Sequence, residues 1–303
     1  MKHCAIVVTF KRSGMLKECL EGLRAQTKKL DHVIVVDNHS CDETEKMVRR
    51  DFPEFEFRDL GDNLGGAGGF HFGVRWAYEK GFDWIWLMDD DVEPEPDCFE
   101  KMLRFKDKSK CIHPTKRYTN GEIFRWQGYF DPQTSISYRK RTETWRDREY
   151  TKVNYGCFEG MLIHRDIVRK IGYPDKKFFI VADDLIYGYL ASKHTDVLYL
   201  RDAEMKKKIP PKKEVEFFGI KRPYQTPFYL YFNTRNHFLK RDYLLKTSDG
   251  SKTLINLVLF LKGAKLFLET YLFFRTKEHS KMFWSGLTDA LNGDFKGQNR
   301  FIK

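Results

Sequence analysis

No apolar run among the 303 residues is both long enough to cross a bilayer and free of charge; a span needs about 20 such residues. The stretch Ile6 to Thr9 is too short for a signal sequence, and the longest later run, Leu254 to Phe274, is interrupted by Lys262, Lys265 and Glu269. The six cysteines, at 4, 19, 41, 98, 111 and 157, include no C-x-x-C pair and no tight framework. Structural zinc and a disulfide scaffold are thereby disfavoured, and reduced thiols in the cytoplasm are expected. No internal repeat, low-complexity tract, RNP motif, zinc motif or helix-turn-helix signature is present, so no nucleic-acid partner is expected despite the charge.

What the chain does have is positive charge and aromatic rings. It carries 54 basic against 43 acidic residues, a formal charge of +11, with 16% aromatics concentrated beside basic residues in the last third. An anionic partner follows, either a nucleotide substrate or an acidic membrane surface. Apolar runs at Cys4 to Phe10, His32 to Val36, Phe55 to Arg58 and Trp84 to Met88 alternate with segments of helical periodicity. This pattern predicts an α/β fold, an open, mostly parallel Rossmann-like sheet flanked by helices, with ligands beyond the carboxyl ends of the strands.

Those carboxyl ends are polar. Thr9, Phe10 and Arg12 follow the first strand, and Asp37 follows the second, where a carboxylate can accept two hydrogen bonds from a ribose diol or base edge. Glycines 65, 66, 68 and 69 open a helix, where backbone amides and the helix dipole favour an anion; the alternative is a tight loop and nothing more. The fourth strand ends in Asp89-Asp90-Asp91. In extended backbone residues i and i+2 share a side, so Asp89 and Asp91 can converge on a hard divalent cation, Mn²⁺ or Mg²⁺, while Asp90 faces away. A solvated acidic turn capping a helix at Pro94-Glu95-Pro96 is the rival reading.

Taken in order, Thr9-Phe10-Lys11-Arg12, Val35-Val36-Asp37-Asn38-His39-Ser40, Asn63-Leu64-Gly65-Gly66-Ala67-Gly68-Gly69-Phe70 and Leu87-Met88-Asp89-Asp90-Asp91-Val92 resemble the motifs of family 2 inverting glycosyltransferases with the GT-A fold, most of all their galactofuranosyltransferase and rhamnosyltransferase branch. The resemblance is strong over residues 3 to 205. It implies a nucleotide-sugar donor, UDP-galactofuranose first and a dTDP-rhamnose type next, held by Thr9, Phe10, Arg12, Asp37, Asn63, Gly65, Gly66 and Asp90, with metal on Asp89 and Asp91. Tyr155 to Ile163 resembles the segment lining the sugar and acceptor pocket. Asp183-Asp184 matches the acidic pair that supplies the general base, Asp183 as base and Asp184 in support; without the resemblance they read equally as helix N-terminal acids. The histidine that completes the metal site in related enzymes is missing. Lys206 stands at its place by position, where an ammonium can neutralise diphosphate but cannot ligate metal.

Residues 111 to 150, including a basic run from Arg139 to Arg148, read as loops and edge strands over the site. Pro210-Pro211 marks a break, giving a catalytic region over 1–210 and a basic, aromatic, mainly helical region over 211–303 that packs on the first or lies in a membrane interface. The expected function is sugar transfer to a cell-envelope glycan, lipid-linked or free, by a peripheral protein at the inner face of the membrane. A non-catalytic nucleotide or lipid-headgroup binder on the same fold is the alternative.

Overall fold

A computed structural model describes residues 1–139, 148–211 and 213–295. Its centre is a nine-stranded sheet. The first half is wound as expected: β1 (His3–Thr9), β2 (His32–Asp37), β3 (Glu56–Asp59) and β4 (Trp84–Asp89) pair in parallel, in the order β3-β2-β1-β4. The helices between them are α1 (Ser13–Arg24), α2 (Thr44–Asp51) and α3 (Gly65–Glu79). Alternation divides the strands cleanly. Ala5, Val7, Val35, Trp86 and Met88 join a core with Leu16, Leu20 and Phe52 of the α1–α2 side, whereas Ile6, Val8, Ile34, Val36 and Leu87 face Phe70, Val74 and Ala77 of α3. Continuous apolar strands are what a sheet covered on both faces requires.

The glycines of α3 explain how closely that helix lies on β1. A Cβ at Gly69 would come within 2.5 Å of a Val8 methyl, and one at Gly73 within 2.5 Å of an Ile6 methyl. Gly69 therefore serves packing rather than ligand approach. Close seating of α3 aims its N-terminus at the edge where β1, β2 and β4 end.

The second half of the sheet corrects the sequence reading. After the short strand β5 (Val92–Pro94) and α4 (Cys98–Leu103), residues Cys111–Tyr118 form β6, an inner strand rather than a loop or edge strand. The helix expected at Pro94 begins only at Cys98. A hairpin of β7 (Gly128–Asp131) and β8 (Ile136–Arg139) follows, then β9 (Tyr150–Val153), β10 (Leu162–His164), α5 (Arg165–Ile171), α6 (Asp183–Ser192) and β11 (Val197–Lys207). The sheet continues from β4 through β10, β6 and β11 to β5, with β10 antiparallel to β4. Most of the basic run from Arg139 to Arg148 lies outside the described residues. Beyond β11 come a hairpin of β12 (Glu214–Phe217) and β13 (Ile220–Pro223), then helices α7 (Pro227–Thr247), α8 (Lys252–Glu269) and α9 (Lys277–Leu291). Helix α7 lies against α9 and contacts α6, so the last region is packed onto the sheet domain. No described helix is long and apolar enough to cross a membrane.

Candidate active site

The three aspartates leave β4 in the arrangement that extended backbone dictates. Asp90 turns toward β1: its carboxylate accepts from Thr9 Oγ1 at 2.8 Å and from Arg12 Nη1 at 3.1 Å. Burial pushes the Asp90 carboxyl up, opposed by Arg12 and Thr9. Burial also works against the Arg12 charge, but Asp90 and Asp91 outweigh it and hold the guanidinium protonated. Asp89 and Asp91 face the other way and meet Glu159, all three offering oxygens within 4.8 Å of one another. Glu159 arrives because the chain before β10 pairs back on β4, Gly160 N–H donating to Leu87 O and Leu87 N–H to Met161 O, both at 2.8 Å.

Into this group of acids comes a lysine, and it is Lys207. Its ammonium donates to Asp91 Oδ1 at 2.6 Å and to Glu159 Oε1 at 2.7 Å. Lys206, the residue expected there, points to the opposite side of β11 and pairs with Glu93 and Glu95 at 3.7 and 3.3 Å. Alternation along β11 is the reason: Ala203, Met205 and Lys207 are buried, and Lys206 between them is exposed. Lys116, fully buried on β6, donates to Glu159 O at 2.7 Å and stands 3.8 Å from its carboxylate. Burial raises Glu159, but Lys207 and Lys116 outweigh it and hold this carboxyl below its ordinary value. Asp89 goes the other way, pushed well up by burial and by Glu159. A side-chain hydrogen bond links Asp89 and Glu159.

The oxygen donors of Asp89, Asp91 and Glu159 fit a hard divalent cation by number and type. Lys207 already pairs with two of the three, so a cation and this ammonium compete for one set of carboxylates.

Nucleotide-facing residues expected from the sequence gather at the same strand edge. Asp37 is buried and accepts from Ser40 N–H at 2.9 Å and from the Ser40 hydroxyl, while burial raises its carboxyl. Asn63 Oδ1 accepts from Gly65 N–H at 2.9 Å, shaping the turn into α3 rather than pointing free. Gly65 has φ +70°, and a Cβ there would stand 2.3 Å from Phe179 O. Gly66 has nothing within 4 Å of its missing Cβ, so of the cluster it is Gly66 that leaves open space at a helix N-terminus. Phe10 is half-buried with Lys11 over its ring at 5.1 Å.

The second acidic pair begins α6. Asp183 is buried and pushed up to about 8, by burial first and by Asp184 second; Asp184 is pushed up to about 6, again by burial first. Asp184 accepts from Trp126 Nε1 at 3.0 Å and from Leu185 N–H at 2.7 Å. Glu159 is among the charges that raise both Asp89 and Asp184, which ties the two acidic groups into one electrostatic site. Tyr229 of α7 reaches this site too, within the field of Arg12, Asp89, Asp91 and Lys207. Lys207, Lys116 and Tyr229 were absent from the sequence-derived set, and Glu159 entered it only within the pocket-lining segment Tyr155 to Ile163; the inward phase of Lys207, two positions after Met205, was the one local signal that could have found any of the other three.

A doubly wound sheet with an acid cluster at the exit of its fourth strand and a second acid pair at a later helix start defines a GT-A fold. The S. aureus TarS fragment 1–349, solved in complex with UDP-GlcNAc, superposes with a TM-score of 0.61 over 96% of this chain and 81% of that one, at 15% identity. The chain belongs to Glycosyl transferase family 2, whose model matches residues 4–172. Among characterised relatives, galactofuranosyltransferase GlfT1 of Mycolicibacterium smegmatis is 31% identical over 196 residues, 60% of this chain and 62% of that protein. The dTDP-rhamnosyl transferase RfbF of Shigella flexneri is 25% identical over 248 residues, 78% of each chain. The matched stretch thus spans less than two thirds of the galactofuranosyltransferase.

Proposed function

We propose that this protein is an inverting glycosyltransferase that moves a sugar from a nucleotide-activated donor, UDP-galactofuranose first and a dTDP-rhamnose type next, to a cell-envelope glycan. The observation that carries this reading is the contrast between Glu159, held below its ordinary value beside two lysines, and Asp183, raised where no cation among the described residues reaches it. Asp91 and Glu159 share the Lys207 ammonium, and Lys116 stands beside Glu159. Asp183 has no cation partner among the described residues and a carboxyl raised to about 8, which suits proton uptake near neutral pH.

The reaction is one in-line displacement. An acceptor hydroxyl oxygen forms the bond to the anomeric carbon as the bond to the donor diphosphate breaks, and the hydroxyl proton passes to Asp183 Oδ. Asp184, held by Trp126, supports the base. At the other end Arg12 and Lys207 place fixed positive charge where diphosphate charge develops. A divalent cation on Asp89, Asp91 and Glu159 would add Lewis-acid stabilisation of the leaving group. Thr9, Phe10, Asp37, Asn63, Gly65 and Gly66 are the donor-binding surface in this reading, and residues 1–210 are its catalytic domain.

Residues 211–303 are assigned to the acceptor and membrane side. Residues 206–303 hold 20 basic against 8 acidic side chains, whereas residues 1–205 hold 34 against 35, so the whole positive excess lies in the later part. Helix α8 buries only Ile255 and Leu259 and leaves Leu257, Phe260 and Leu261 at 53, 73 and 57% exposed. An apolar helix on a basic region supports reversible attachment to an anionic leaflet. The deciding experiment is a thermal-shift screen of UDP, dTDP and their sugars with and without Mn²⁺, followed by turnover of whichever donor raises Tm. Stabilisation by a nucleotide sugar with turnover supports the assignment; stabilisation with neither transfer nor hydrolysis identifies a non-catalytic nucleotide binder.

A further inference from the structure

The loop leading to Asp183 is held in a conformation that its sequence does not favour. Phe179, Val181 and Ala182 have φ of +61°, +75° and +71°, and none is glycine. Side chains with a Cβ are destabilised there, the β-branched Val181 most of all, so such a loop persists only where its surroundings over-determine it. Left-handed backbone also turns carbonyls away from any ladder, and those carbonyls need donors.

The donors come from two consecutive residues in the middle of α7. Asn236 Nδ2 lies 2.9, 2.7 and 2.9 Å from the carbonyl oxygens of Phe178, Ile180 and Val181. Arg235 Nη2 donates to the carbonyls of Lys177 and Phe178 at 2.7 and 2.9 Å. Arg235 Nε donates to Asn236 Oδ1 at 3.0 Å, which fixes the carboxamide so that its nitrogen faces the loop. Both side chains are buried, and the guanidinium lies 4.7 Å from the ring centre of Phe232, which stacks on Phe179 at 4.9 Å. On its other side the loop touches the glycine turn: Phe179 O accepts from Ala67 N–H in the first turn of α3 at 3.0 Å.

We infer that Arg235 and Asn236 are positioning residues of the transfer reaction, clamping the 177–182 loop so that Asp183 is presented at a fixed distance from a donor seated at the N-terminus of α3. The inference rests on the assignment of Asp183 as base. It makes the C-terminal helices part of the catalytic geometry, since the strained loop is braced from a helix about 50 residues later in the chain.

The test uses the full-length chain and four variants: Asn236→Leu, which keeps volume but removes the donor; Arg235→Lys, which keeps charge but loses the fork; Leu244→Ala, a buried α7 position in the core with Phe130 and Tyr189, as the control for simple destabilisation; and Asp183→Asn. Readouts are Tm, UDP affinity, kcat and KM for hydrolysis of UDP-galactofuranose and dTDP-rhamnose, and the pH profile of kcat. A displacement of about 1 Å in a reacting group costs on the order of 10²-fold. Asn236→Leu is expected to lose between about tenfold and a hundredfold in kcat with UDP affinity within twofold (about the resolution of such assays), and to move the acid limb of the pH profile, whereas Leu244→Ala lowers Tm and leaves both unchanged. Arg235→Lys is expected to fall between the wild type and Asn236→Leu. A folded Asn236→Leu protein with kcat and pH profile like those of Leu244→Ala overturns the inference. Where Asn236→Leu does not fold, unchanged kcat in Arg235→Lys overturns it. Asp183→Asn with normal turnover removes the base assignment instead; loss in Asp183→Asn with none in Asn236→Leu removes only the clamp.

Discussion

Two groups of buried carboxylates sit in one site, and their surroundings make them different chemical reagents. Asp91 and Glu159 share Lys207, with Lys116 behind them. Asp183 and Asp184 have one indole N–H and a few backbone amides between them; Lys116 acts on Asp184 from a distance, and no cation among the described residues acts on Asp183. The lysines hold Glu159 below its ordinary value, whereas burial without such a cation raises Asp183 to about 8. Under the proposed function, what would separate leaving-group support from proton acceptance is the placement of two lysines on β6 and β11, not the identity of the acids.

The most damaging way to break this contrast is Asp183→Asn, which keeps shape but cannot take a proton. Transfer is expected to drop by about 10³-fold, with UDP affinity within a factor of about two of wild type. Steady-state kinetics beside nucleotide titration checks both halves, and near-normal turnover would end the role of Asp183.

At the other end, Lys207→Ala removes the ammonium that fills the acid cluster. Transfer is expected to fall about 10²-fold, as when one fixed donor to a developing anion is lost. Mn²⁺ should bind at least about tenfold more tightly, because a competing charge has gone from the same carboxylates. Mn²⁺ titration by calorimetry reads this directly; unchanged affinity would mean that the ion and Lys207 do not share a site. Lys206→Ala, on the outer side of β11, should leave both quantities near wild type.

The contrast sharpens further with pH. Asp183 and Asp184 titrate as a coupled pair, raised to about 8 and about 6, and the acceptor of the proton must be ionised. Turnover should rise by up to about tenfold per pH unit below the apparent value and flatten above it. Stability has the opposite sign. A carboxyl raised in the folded state stabilises it fully below the ordinary value of 3.8, and that contribution is lost as pH rises through about 6 to 8. Asp183→Asn should therefore melt higher than wild type at pH 9 and alongside it at pH 4 (both about the limits of the titration); a scan at the two pH values decides.

The smallest expected effect concerns the outer surface. Phe260→Glu on the exposed face of α8 should reduce sedimentation with anionic vesicles several-fold at low salt and leave donor hydrolysis unchanged. Equal sedimentation of variant and wild type would remove α8 from the membrane contact.

How much of this was legible in the sequence depended on the distance over which each feature is determined. The alternation of Asp89, Asp90 and Asp91 is local, and the separation of Asp90 from its neighbours follows from extended backbone alone. Strand β6 was not legible, because Pro114 and its charged or polar neighbours His113, Thr115, Lys116 and Arg117 read as loop. In the fold Pro114 falls where the β6–β11 register shifts, between the pairs His113–Tyr199 and Thr115–Glu204, a place where a missing N–H costs no ladder bond. Glu159 was visible only as part of a pocket-lining segment, since its meeting with Asp89 depends on pairing across some 70 residues. Lys206 was chosen over Lys207 by counting from the acid pair, and counting fails across an irregular strand.

That irregularity in β11 has a reach beyond packing. Between its two paired registers β11 takes five steps, from Tyr199 to Glu204, where β6 takes two, from His113 to Thr115. The surplus sets which side of the strand each later residue presents. With the register up to Tyr199 kept, deleting Ala203 would bring Lys206 to the place of Met205 and Lys208 to the place of Lys207, without altering one charge in the composition. Loop length there sets which of three consecutive lysines, 206, 207 or 208, enters the acid cluster, so the site would keep an ammonium through a one-residue change that a lone lysine would not survive.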